Sequence, residues 1–167
     1  DQESHLFVCG EFAGEAVFNL IRVSAQAGAA GGHEAYRGGA WPTDAFVAKL
    51  DGEGTFLWVR AAGGDGYDRA YALGVDGTGN VVVAGQFGQR AAFGDLELTG
   101  SASLTTGNGF IAKYDTFGSV LWANAAVSTD DSGFYAVAID GVGDILAGGD
   151  FSGPVSLGTS YVAVGPT

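Results

Sequence analysis

Few side chains in this sequence have the type and spacing that chemistry needs. Its two lysines, Lys49 and Lys113, stand in the same local wording, Ala-Lys-Leu-Asp and Ala-Lys-Tyr-Asp. A catalytic lysine is a singular group, so one lysine at two equivalent positions reads instead as half of a structural ion pair, with Asp51 and Asp115 or Asp76 and Asp140 as partners. His5 and His33 are the only histidines, and neither has a serine or cysteine placed to complete a nucleophilic triad. Cys9 is the only cysteine; the small residues Ala84 and Gly148 occupy its place in related stretches, which fits a small packed side chain better than a reactive thiol.

Metal and phosphate chemistry fare no better. The Asp-x-x-Gly runs lack the alternating acidic ligands and closing glutamate of an EF-hand loop. Calcium is left two places, Asp130-Asp131 and the pair Asp65 and Asp68, and no other cofactor is expected. No glycine-rich phosphate loop leads into a helix. With 7 basic against 19 acidic residues the formal net charge is −12, so no basic patch for nucleic acid can be assembled. No apolar run is long enough for a membrane helix. The first five residues, Asp-Gln-Glu-Ser-His, lack the features of a signal peptide.

The elements that must carry these residues repeat. Phe46 to Trp58 recurs as Phe110 to Trp122, 64 residues on. Phe46, Ala48 and Leu50 alternate with Val47, Lys49 and Asp51, the period of a strand, and Asp51 to Gly54 then turns the chain. A second hairpin follows each tryptophan: Ala70 to Asp76 returning as Val81 to Phe87, and Phe134 to Asp140 returning as Ile145 to Phe151. Leu6 to Phe12 matches the returning strands. Ala16 to Val23 parallels Ala91 to Leu98 at an offset of 75 and reads as a half-exposed strand or hairpin. Hydrophobic residues at 47%, 30 glycines and only 3 prolines fit many short strands joined by tight turns, with no helix.

Together these positions (Asp44-x-Phe-Val-Ala-Lys-Leu-Asp-x-x-Gly-x-x-x-Trp58, then Ala70-Tyr71-Ala72, Val75-Asp76-x-x-Gly79-Asn80-Val81 and Ala84-Gly85-x-Phe87) resemble the bacterial SBBP-type β-propeller repeat. The second copy departs from the pattern with Asn108 for the leading Asp and Asp144 for Asn80. Spacing between Asp51, Gly54 and Trp58 is also near that of the tryptophan-docking repeat of quinoprotein dehydrogenases, but one residue short. The resemblance implies an all-β fold of four-stranded antiparallel propeller blades; counting the copies gives about two and a half of them, an incomplete ring. It also implies an extracellular or cell-surface location, and members mostly without an assigned reaction.

On this reading, residues 1–64 form a partial first blade, 65–128 a complete one and 129–167 a partial last one, which has Phe134 to Phe151 and a further run from Pro154 to Val164 but no second hairpin. Trp58 and Trp122 read as inter-blade packing. An insertion at 24–43, about eleven residues longer than its counterpart, carries His33, Tyr36, Arg37 and Trp41; it is either a surface excursion or a loop for a ligand or partner. The expected function is a non-enzymatic structural or binding module. Its open blade edges would recruit protein partners or further copies of the chain into a ring or filament. The alternative is a piece of a propeller enzyme or ligand-binding protein with its site on the blade-face loops.

Overall fold

The computed structural model of the 167-residue chain describes residues 4–25, 42–101, 106–157 and 160–162, the last three at the main chain. Fifteen strands follow in order: β1 Leu6–Phe12, β2 Glu15–Phe18, β3 Ile21–Ser24, β4 Asp44–Leu50, β5 Phe56–Asp65, β6 Arg69–Val75, β7 Val81–Phe87, β8 Arg90–Phe93, β9 Leu96–Thr99, β10 Asn108–Tyr114, β11 Val120–Ser128, β12 Ser132–Ile139, β13 Ile145–Phe151, β14 Val155–Leu157 and β15 Ser160–Val162. All strand ladders are antiparallel, and no helix occurs among the described residues.

Four turns are built alike, and the sequence shows why. Asp51, Asp76, Asp115 and Asp140 each accept on Oδ1 the N–H groups of the residues two and four further on. The third following residue is Gly54, Gly79, Gly118 or Gly143, with φ between 80° and 96°, a conformation that a side chain would strain. These turns close the hairpins β4–β5, β6–β7, β10–β11 and β12–β13.

The strands form two long sheets, ordered β1-β4-β5-β8-β9 and β15-β14-β11-β10-β7-β6, and two isolated hairpins, β2–β3 and β12–β13. Pairings in one sheet recur 64 residues on in the other. Lys49 faces Trp58 and Lys113 faces Trp122; Ala62 faces Phe93 and Ala126 faces Leu157. Bulges recur likewise, at Ala70/Ala72 and Phe134/Ala136. Opposite them stand Gly85 and Gly149, where an added Cβ would lie 1.9 Å from the Arg69 carbonyl oxygen and 2.0 Å from that of Gly133. Among the described residues no closed ring is formed.

Two pairings go beyond the sequence reading. The run from Pro154 is a hairpin, β14–β15, and it joins β11. Likewise β8–β9 joins β5. Each short hairpin thus leaves the hairpin it follows and completes the outer side of the preceding sheet, so sheet membership crosses the divisions at 64 and 128. Short alternating runs show that a strand exists but not which edge it will satisfy.

The core lies between the faces of the two long sheets. Val47, Trp58 and Ala62 from one meet Val81, Val83, Phe87, Phe110, Ala112 and Tyr114 from the other, with Ala91 and Phe93 of β8 sealing the outer side. The Phe93 and Phe110 rings sit 4.9 Å apart. β7 is buried along nearly its whole length, whereas its counterpart β13 is exposed from Leu146 to Phe151.

Candidate functional site

A concavity opens where the first long sheet meets the turns of the second. It encloses about 900 Å³ and is lined by His5, Lys49, Trp58, Arg60, Thr78 and Phe117 among others. Two of its polar side chains, Trp58 and Arg60, bond across to the second sheet. The Trp58 indole donates from Nε1 to the Thr116 carbonyl at 3.1 Å. Arg60 donates from Nε to the Gly118 carbonyl at 2.9 Å and from Nη2 to that of Phe117 at 3.0 Å, with its guanidinium 5.7 Å from the Trp58 ring centre. Gly118 is tight against this latch, since an added Cβ would meet Trp58 at 2.9 Å. Aromatic packing and charge-assisted donation to main-chain carbonyls make this a joint between sheets.

A second cluster sits deeper. Asp44 and Asp68 are 2% and 1% exposed. The Asp68 N–H bonds the Thr43 carbonyl at 2.7 Å, which brings the two side chains side by side. The carboxyl of Asp68 accepts N–H groups from Gly64 at 2.8 Å and Gly88 at 2.9 Å. Gly63 admits the pair: a Cβ there would lie 2.5 Å from Asp44 Oδ1 and 2.8 Å from Asp68 Oδ2. Burial pushes the Asp68 carboxyl up to about 7; the two glycine N–H groups oppose the shift, while the charges of Asp44 and Asp65 add to it. At the positions 64 residues on, the same joint is neutral. Asn108 accepts from the Ser101 N–H and donates to the Gly88 carbonyl, and Ser132 accepts from the Gly109 N–H and donates to the Ala126 carbonyl.

The remaining sequence candidates are distributed as follows. Lys113 Nζ pairs with Asp76 Oδ2 at 2.8 Å. Partial burial of Asp76 works the other way, but the Lys113 ammonium and donors from Thr78 and Asn80 hold its carboxyl well below the usual range. Lys49 lies 5.5 Å from the centre of the Phe7 ring. Asp51, Asp115 and Asp140 are turn residues, as above. Trp122 is half-buried, facing Lys113. Burial raises the Cys9 thiol above its ordinary value. Of the calcium candidates, Asp65 is 3.5 Å from Arg90, and Asp131 accepts from the Gly107 N–H and Gln86 Nε2. No group of three or more metal-ligating side chains gathers among the described residues. His33, Tyr36, Arg37 and Trp41 lie outside the described residues.

Two sites escaped the sequence reading. Arg60 lies two residues beyond Trp58 on the same strand face, so its partnership was accessible from strand period. Asp44 and Asp68 are separated by a whole hairpin, and only their replacement by Asn108 and Ser132 hints that they belong together. No protein-family model and no curated protein matches the chain.

Proposed function

We propose that the chain is a non-enzymatic structural or binding module made of β-propeller-type blades of the SBBP-like kind, carried by an extracellular or cell-surface protein. The observation that carries this reading is the first joint: its indole and guanidinium groups are bonded to main-chain carbonyls of the neighbouring sheet, with none of the nucleophile–base geometry a reaction needs. The module works by stacking sheets so that each covers the next, and its open edges recruit further strands of protein. Light scattering together with small-angle scattering tests this: assemblies larger than one chain are expected. A stable, well-folded monomer at all concentrations would contradict assembly, and turnover of ester, glycoside or phosphate probes that is lost in Asp68→Asn would contradict the non-enzymatic reading.

The second reading, a piece of an enzyme or ligand-binding protein with its site on the face loops, rests on the insertion carrying His33, Tyr36, Arg37 and Trp41. Ligand binding that is lost when Arg37 and Trp41 are replaced would favour it.

A further inference from the structure

Three short hairpins share one design. β8–β9 and β14–β15 pair internally in the same way as β2–β3: Phe93 faces Leu96 as Phe18 faces Ile21, and Ala91 faces Leu98 as Ala16 faces Val23. The tips match as well, with φ of 59° at Gly94 and 55° at Asn19. The anchoring aromatic is also equivalent. Phe93 packs 4.9 Å from Phe110, and Phe18 packs 5.1 Å from Phe46 and 5.2 Å from Phe56.

Only the outer partner differs. β8 is seated on β5 and β14 on β11, whereas β2 pairs with β3 alone among the described residues. The side chains record the difference. Ala91 and Phe93 are 0% and 1% exposed, while Ala16 and Phe18 remain half-buried and Val17 is 56% exposed. A strand edge that pairs on one side only among the described residues and carries a partly uncovered apolar face is a template for β-augmentation.

We propose that β2 is the docking edge for the outer strand of a further unit of this repeat, seated antiparallel in the register of Ala62–Asp65 on β8. The inference deepens the modular reading above and rests on it. The chemistry of the occupant follows from the two seated examples. Residues facing the hairpin are small, Ala62-Gly63-Gly64 on β5 and Ala126-Val127-Ser128 on β11. Charge sets the last position. On β8 it is Arg90, which lies 3.5 Å from Asp65 of its seat. On β2 the same position is Glu15, ion-paired with Arg22. The strand that fits β2 therefore carries no acid where β5 carries Asp65, and a basic residue there suits it best. This disfavours β5 of a second copy, and β11 of a second copy is covered by its own β14.

The test is an amide-resolved NMR titration of the whole chain with a ten-residue peptide of sequence 120–129, compared with versions in which Thr129 is Lys or Asp. Shifts are expected at Glu15–Phe18 and their β3 partners, with the Lys peptide binding roughly threefold or more tighter than the Asp peptide at low salt. A backbone contact between Gly63 and Ala92 in the same sample reports whether the seated hairpin exists at all. Its absence would sink the modular reading. Its presence with no peptide response on β2 would overturn the docking edge alone. Equal response to a scrambled peptide, contacts from β2 to residues 26–41 in the free chain, or β2 shifts that grow with chain concentration without peptide would each overturn it too.

Discussion

The joint between the two long sheets and the joint between β6–β7 and β12–β13 are made from nearly the same words, yet they differ in what they bury. In the first, Trp58 and Arg60 reach across to main-chain carbonyls, an acidic pair is sealed beside Gly63, and β7 disappears into the core. In the second, asparagine stands in place of Arg60 at position 124, the neutral Asn108 and Ser132 replace the acids, and β13 faces solvent. The same strand pattern is thus core in one place and surface in the other. Burial here is decided by the next sheet, and a repeat unit supplies only one of the two faces it needs.

The largest expected contrast is in aromatic truncation. Phe93→Ala removes a fully buried ring from the sealed joint and should cost about 3–5 kcal/mol. Phe151→Ala, on the exposed β13, should cost under about 1 kcal/mol. Denaturant unfolding of both variants checks this; comparable losses would erase the distinction between the joints.

Next comes proton linkage. Asp68 has its carboxyl pushed up to about 7 in the folded chain, against 3.8 ordinarily. Between those values the folded state holds a proton that the unfolded state has released, so stability contributed here is full below about pH 4 and is lost as pH rises through 7. The span amounts to about 4 kcal/mol. Asp68→Asn should flatten the stability profile between pH 4 and 8, while Ser132→Ala, at the neutral counterpart, should lower stability without changing its slope. Denaturant midpoints across that range decide; an unchanged slope in Asp68→Asn would remove the acidic pair from the account.

A smaller effect separates the tryptophans. Trp58→Phe keeps most of the ring but loses the bond to the Thr116 carbonyl and should cost about 1–2 kcal/mol, more than Trp122→Phe. Smallest of all is Lys113→Met, expected to cost about 1 kcal/mol through Asp76, with the difference from the unmodified chain shrinking as acid protonates that carboxyl. Equal midpoints at neutral pH would mean the pair contributes nothing.

Much of this was legible in the sequence. The Asp-x-x-Gly turns, the alternating strands and the repeat pairing of Lys113 with an aspartate all follow from local chemistry that a short window contains. The seating of β8–β9 and β14–β15 was not legible, because four alternating residues such as Arg90–Phe93 suit any open edge. Nor was the meeting of Asp44 with Asp68, which depends on a loop tied back to Thr43. A buried carboxyl pair breaks the pattern rather than following it, so periodicity passes over it.

Residue-resolved hydrogen exchange reaches the central claim most directly. If each sheet is held by the one that covers it, amides of β4, β5, β7 and β10 should open together, at one shared free energy close to that of global unfolding, and those of β12–β13 at a distinctly lower one. Equal protection in β13 and β7, or separate opening of the two long sheets, would contradict it.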